Sequence, residues 1–534
     1  MNYNFFNNDF DKCIIKGQCV QEPYINAINE YIFEEISEII YYIEELKNLN
    51  YINKKFEREL INIIAKSNID NNFQGKDLLE LINEISKRKL DLIKRYQKIC
   101  KECFSEVKLK PKRNEKIKKI KISDIAKYGE RIFLKRQKKS NTFVNAIYMI
   151  LLSFVKTIVK NLTELYEYKI DLPDINEELL KLILKIKNIS DNKEEIILII
   201  KKLNTLNFKI IKEREKIYHE KYGEIKENDV KFSSRKNKCI LISGQDLKIL
   251  ADIIDVAQKE NIDIYTHDKM IFAYQYDYFA QKENLVGQFQ KSQLSFKYDF
   301  VSFPGPIIID NFQQNNFTGM YQGNFFTTNS IAPYGMRVLN NDNYSELFET
   351  AKAMKGFKKA HEKPIIKIGY KQKELVKFVD ELKENLISKK YNSILFLGLY
   401  HHQAINKEYY DELIKHIPNS TFLISLAYDI DTENSKHFAS YYDNSLSFKI
   451  LEELQKLKNK TKFDINVFIT DCTSKMLENI MILNYFDVKN IFIQECQELP
   501  NTQYFKEILK KYFKTNLTNF ILETDLNNLK FNLS

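Results

Sequence analysis

Seven short apolar runs dominate the second half of the chain: Cys239-Ile-Leu-Ile242, Ile262-Asp-Ile-Tyr265, Pro306-Ile-Ile-Ile309, Ile394-Leu-Phe-Leu397, Thr421-Phe-Leu-Ile424, Val467-Phe-Ile469 and Ile491-Phe-Ile493. Each is too short for a helix, is bounded by turn residues, and is followed by a stretch of helical periodicity. Strand, helix, strand in succession requires crossover connections, and crossovers build parallel sheets covered by helices on both faces. Glycine placement agrees: nine of the thirteen glycines lie between Gly244 and Gly398, where strand-to-helix turns need them, and none follows.

The first part of the chain has another texture. From about residue 24 to 220, apolar residues recur every three or four positions, as in Ile32-Phe33-Ile36-Ile39-Ile40-Ile43-Leu46 and Leu179-Leu180-Leu182-Ile183-Leu184-Ile186, with charges between them. That period predicts one or two helical bundles. The predicted organisation is a helical domain over 1–236, a Rossmann-like α/β domain over 237–360, and a second one over 361–534. The charged stretch Lys355-Gly-Phe-Lys-Lys-Ala-His-Glu-Lys363 marks the later boundary. No internal repeat or low-complexity tract interrupts this plan.

Composition excludes more than it identifies. The net charge is +10, but Lys, Asn and Ile are abundant throughout while Trp is absent, a profile of AT-rich codon usage. The densest basic run, from Lys108 and Lys110 through Lys112 and Arg113 to Lys121, could track phosphates by counterion release. No aromatic ladder interleaves it, so it reads as a solvated helix face and no nucleic-acid partner is favoured. Seven cysteines in 534 residues are too sparse for a disulfide framework. With no basic segment leading into an apolar core at the N-terminus, a reducing cytoplasm is expected. The longest apolar run, Ala146 to Val155, is closed by Lys156 and is shorter than the roughly 20 residues that span a bilayer, so a buried helix is expected and no membrane partner. Dinucleotide and Walker fingerprints are absent, as is Gly-x-Ser-x-Gly, which disfavours nucleotide-dependent and hydrolase chemistry.

Several segments recur in one known order: Ile242-Ser-Gly-Gln-Asp-Leu247, Tyr265-Thr-His267, Leu285-Val-Gly287, Phe303-Pro-Gly-Pro306, Phe325-Phe-Thr-Thr328, Tyr409-Tyr410 and Val488-Lys-Asn-Ile491. In these the chain resembles the hybrid-cluster proteins, or hydroxylamine reductases, relatives of carbon monoxide dehydrogenase. The match begins at Cys13-Ile-Ile-Lys-Gly-Gln-Cys19, weakens through the helical part and returns at Tyr222-Gly223. The resemblance implies a helical domain carrying a cubane iron-sulfur cluster and two Rossmann-like domains holding an iron-sulfur-oxygen hybrid cluster. It also implies reduction of hydroxylamine or nitric oxide and a link to nitrosative stress.

Residue by residue, the family's metal ligands are exchanged. Cys13 and Cys19 match the second of two N-terminal cysteine pairs, and no cysteine stands in the first six residues. The histidine of the family's Ser-Gly-His-Asp is Gln245, and the glutamate of its Tyr-Thr-His-Gly-Glu-Met is Lys269. Cysteine positions are taken by Gln313, Tyr400 and Tyr428. The last cysteine corresponds to Cys472 and a late glutamate to Thr473, in two registers that differ by a deletion. Cluster irons want thiolates, imidazole and carboxylate, which amides, ammonium and phenols do not replace. The expectation is therefore that no cofactor is held, with a residual iron-sulfur cluster at Cys13 and Cys19 as the alternative.

Three functions remain open on this reading: a non-catalytic or repurposed protein acting through an unknown protein partner, a residual iron-sulfur oxidoreductase acting on hydroxylamine or nitric oxide, and a small-ligand binder using the emptied interdomain cavity. Two lesser constellations are Cys100-Lys-Glu-Cys103, with the spacing of a metal or redox pair, and His401-His402, which with Asp471 and Cys472 could bind zinc or iron. His267, Asp246 and Asp268 lie at predicted strand ends, with His267 expected to make a structural hydrogen bond.

Overall fold

The computed structural model describes residues 23–51, 54–67, 75–103, 121–289, 296–309, 322–328, 332, 335–339, 343–362, 365–399, 407–426, 433–438, 445–457, 459–469, 474–494, 503–518 and 525. The chain forms two compact units. The first comprises 1–211 with 330–334 and 497–508, and the second comprises 212–329, 335–496 and 509–534.

The first unit is built from the helices the periodicity predicts: α1 (Pro23–Asn48), α2 (Lys54–Lys66), α3 (Gly75–Glu102), α4 (Ile122–Lys139), α5 (Thr142–Glu167), α6 (Pro173–Lys187) and the first part of α7 (Lys193–Tyr222). Helix α1 packs against α3 and α4, and α2 against α5 and α6. Asn141 starts α5 by accepting a hydrogen bond from Val144 N at 2.8 Å, which satisfies one of the amides a helix start leaves open. Lys156 does not end α5. Among the described residues α5 is long and apolar enough to cross a membrane by length and composition, and 67% of its most apolar window is buried inside the fold.

One buried ion pair ties α1 to α4. The Arg136 guanidinium donates to both carboxylate oxygens of Glu30, at 2.6 and 2.7 Å, and stacks 3.9 Å above the Tyr148 ring. Burial opposes the charge on Arg136, but the Glu30 carboxylate outweighs it and the guanidinium pKa rises.

The second unit holds two six-stranded sheets, each wholly parallel. The first runs β4-β3-β2-β5-β6-β7, from β2 (Cys239–Ser243), β3 (Asp263–His267), β4 (Leu285–Gln288), β5 (Ile307–Ile309), β6 (Phe325–Thr327) and β7 (Arg337–Val338). The second runs β11-β10-β9-β12-β13-β14, from β9 (Ser393–Leu399), β10 (Thr421–Ser425), β11 (Ser435–His437), β12 (Asp464–Ile469), β13 (Asn490–Gln494) and β14 (Thr515–Thr518). Both have the Rossmann order: three strands step outward from the first strand in one direction, then three more in the other. The seven apolar runs are the two central strand sets, β2, β3, β5 and β9, β10, β12, β13. A separate antiparallel ribbon pairs β1 (Asn228–Lys231) with β8 (Ile365–Ile368).

The last turns of α7 belong to this second unit. Arg214 pairs at 3.0 Å with buried Glu478, and Lys212 with Glu452 at 3.0 Å.

Phe154, fully buried in the middle of α5, tests the helical core. Phe154→Ala should destabilise that unit by about 3–5 kcal/mol, read as a lower guanidinium midpoint by far-ultraviolet circular dichroism.

Candidate functional site

In a sheet of Rossmann order, the strand order reverses between the first and fourth strands, and ligands bind outside the carboxyl ends at that switch. Here the switches lie between β2 and β5 and between β9 and β12. The positions the resemblance singles out all follow these central strands in sequence. Gln245 follows β2, Lys269 follows β3, Gln313 follows β5, Tyr400 follows β9, Tyr428 follows β10, and Cys472 and Thr473 follow β12. Gln313, Tyr400, His401, His402, Tyr428, Asp471, Cys472 and Thr473 lie outside the described residues, as do Cys13, Cys19 and most of the basic run from Lys108. Gln245 and Lys269 are described.

The β2 and β3 ends are locked together. Ser243 and His267 are register partners on adjacent strands, and Ser243 Oγ lies 2.8 Å from His267 Nδ1. On the other side of the ring, Asp299 Oδ2 is 3.6 Å from His267 Nε2, with both side chains fully buried, and the Phe300 ring packs 4.8 Å away. A serine, a histidine and an aspartate in line suggest a nucleophilic triad, but the geometry argues otherwise. The aspartate lies beyond hydrogen-bond length, the serine faces Nδ1 rather than Nε2, and the hydroxyl is buried. The group holds two strand ends in register. Asp299 had no sequence signal, because its partner is 32 residues away and no motif links them.

The turns on either side carry the backbone shapes such a site needs. Gly244 has φ 146° and Gly398, the residue skipped in the β9–β12 register, has φ 79°. Each precedes a singled-out position, Gln245 or Tyr400, and a side chain at either glycine would be strained. After Gly244, Asp246 caps the helix Leu247–Lys259 by accepting from Lys248 N at 2.8 Å and Ile249 N at 3.4 Å. Its role is therefore structural.

After β3, Asp268 takes φ 55°, the left-handed conformation, at the place where the resembling motif has glycine. Aspartate tolerates that shape better than most residues. The Asp268 carbonyl accepts from Gln288 Nε2 at 3.0 Å, and Gln288 Oε1 accepts from Thr266 Oγ1 at 2.6 Å. A 3-10 helix, Asp268–Gln275, follows, and Lys269 on its first turn is only 3% exposed.

Tested against a hybrid cluster, these two described positions do not fit. A protonated lysine has no lone pair and repels a cation, and an amide is a poor substitute for imidazole. Among the described residues no group of three or more His, Cys, Asp or Glu side chains is placed to hold a metal ion. The Cys100 and Cys103 thiols occupy different surroundings, the first buried and the second exposed at the end of α3.

Comparison with known proteins decides the family. The profile described as the Prismane/CO dehydrogenase family matches residues 10–427. This chain belongs to that family. Hydroxylamine reductase from Escherichia coli (strain SE11) is 26% identical over 302 residues, covering 54% of this chain and 53% of its own length. Hydroxylamine reductase from Escherichia fergusonii is 26% identical over 256 residues, covering 48% and 45%. The chain thus spans about half the length of the curated relatives it matches. Among solved structures, one described as "NiZn[Fe4S4] and NiNi[Fe4S4] clusters in closed and open alpha subunits of acetyl-CoA synthase/carbon monoxide dehydrogenase" covers 93% of this chain and 81% of its own, at 8% identity and TM-score 0.46.

Family membership corrects the expectation that no cofactor is held, because this is a family of iron-sulfur proteins. That expectation rested on the exchanged positions of the hybrid centre and on an N-terminal cysteine set of which only Cys13 and Cys19 are matched. Replacing a ligand at Gln245 or Lys269 has no bearing on thiolates elsewhere.

Two measurements check the local readings. Asp268→Val should destabilise by about 1–3 kcal/mol through left-handed strain, whereas Asp268→Gly should not; chemical denaturation compares them. Burial, with Asp263 nearby, pushes the Cys239 thiol up to about 12, so at pH 8 it is protonated and a weak nucleophile. Peptide mass spectrometry after brief iodoacetamide treatment of native protein should find Cys103 alkylated and Cys239 unmodified.

Proposed function

We propose that this chain is a repurposed member of the hybrid-cluster family that keeps the scaffold but has lost the hybrid-centre ligand set, and that it does not reduce hydroxylamine at that centre. The observation that carries the reading is Lys269. Its side chain is buried at the carboxyl end of β3, where the family motif has glutamate. A position that carries a ligand carboxylate in the family motif here carries an amine side chain, which offers a cation no oxygen donor. Gln245, in the first turn after β2, supports the same reading. Gln313, Tyr400, Tyr428 and Thr473 extend it by alignment, while Cys472 keeps a thiol. The proposal concerns the hybrid centre alone; iron-sulfur chemistry at Cys13 and Cys19 is compatible with it. The cytoplasm is the proposed location, in keeping with the sparse cysteines.

A second reading is a residual oxidoreductase acting on hydroxylamine or nitric oxide, favoured by the name of the relatives. One experiment separates the two. Protein purified anaerobically is assayed for iron and acid-labile sulfide, then for hydroxylamine reduction with a reduced viologen donor, beside the Escherichia coli relative. Turnover per iron should fall at least about 100-fold below the relative's, the scale on which perturbing a metal site acts. Turnover at the relative's level in the cluster-loaded protein would overturn the proposal in favour of the second reading.

A further inference from the structure

The helical unit contains a cavity of about 620 Å3, a size suited to a small molecule. It shares no residue with the strand-end positions described above. One wall is α1, which presents Glu30, Glu34, Glu35 and Glu38 on one face. Each of these carboxylates is ion-paired: Glu30 with Arg136 at 2.6 Å, Glu34 with Lys187 at 2.8 Å, and Glu35 and Glu38 with one shared lysine, Lys89, at 2.5 and 3.3 Å.

The wall from α4 differs. Arg131 and Lys135, one helical turn apart, line the cavity and are exposed. Neither has a carboxylate partner among the described residues, and the Arg131 guanidinium instead lies 5.7 Å from the centre of the Tyr128 ring. Counting all charged lining groups, five cations (Lys89, Arg131, Lys135, Arg136, Lys187) face four carboxylates, a net charge of +1, and the two cations without a carboxylate partner among the described residues are both on α4. Beside it the lining is apolar and aromatic, with Tyr31 against Tyr128 at 6.5 Å between ring centres.

A cavity with satisfied carboxylates, two adjacent unsatisfied cations and an aromatic flank selects for negative charge on an apolar body. We propose that it binds a small anionic organic molecule, with its carboxylate or phosphate on Arg131 and Lys135 and its apolar part against Tyr31 and Tyr128.

The test uses the full chain and 1-anilinonaphthalene-8-sulfonate, an apolar anion whose fluorescence reports binding. The parent protein should bind one probe per chain saturably. Arg131→Gln with Lys135→Gln should weaken that binding at least tenfold while leaving the thermal midpoint and the binding of neutral N-phenyl-1-naphthylamine unchanged, since both side chains are exposed. Equal affinity in parent and variant, or equal loss of the anionic and neutral probes, would overturn the proposal. Displacement of the sulfonate by octanoate assigns a carboxylate ligand and displacement by octyl phosphate a phosphate ligand, either supporting the site. Displacement by neither overturns it.

Discussion

Strand direction is the constraint on which the α/β unit depends. Because all six strands of each sheet point the same way, every strand-to-helix connection emerges at one edge, and the strand order reverses beside β2 and β9, the place where sheets of this order bind their ligands. The positions at Gln245, Lys269, Gln313, Tyr400, Tyr428 and Cys472 are scattered over more than 200 residues, yet each follows a central strand. Parallel pairing puts the carboxyl ends of the central strands of each sheet, after which these positions come in the sequence, on one edge of that sheet.

Backbone and side chains play separate parts at that edge. Gly244 and Gly398 have positive φ, and Asp268 holds a left-handed turn without being glycine. The Ser243–His267 contact keeps the β2 and β3 ends in register. On this frame, the two described side chains at the positions the resemblance names are an amide, Gln245, and a buried lysine, Lys269. Backbone geometry is maintained by many cooperating hydrogen bonds, whereas a ligand is one side chain and can be exchanged without unfolding its turn. That asymmetry is what would let a chain stay in a metalloprotein family with one centre altered, as proposed above.

Legibility in the sequence followed burial. All seven apolar runs became strands, because a central parallel strand is covered on both faces and must be apolar throughout. The strands not anticipated are β1, β4, β6, β7, β8, β11 and β14; all but β6 are edge or ribbon strands, of two to four residues, and β6 is an interior strand of only three. Ser-Lys-His in β11 and Thr-Asn-Leu-Thr in β14 carry no apolar signature, since an edge strand has water on one side. The helical period marked the region, about 24 to 220, that α1 to α7 occupy. It could not show that the end of α7 packs with the second unit, which depends on Arg214 meeting Glu478, 264 residues later.

By itself the sequence determined the class of fold and the family, because periodicity, turn residues and motif order are local properties. The tertiary structure alone decided that Lys269 is buried, that Asp246 is a helix cap, that His267 is flanked by Ser243 and Asp299, and that Arg131 and Lys135 face a cavity whose carboxylates are already matched. Each of these depends on which distant groups a side chain meets and how much water remains between them, and only the packed chain sets both.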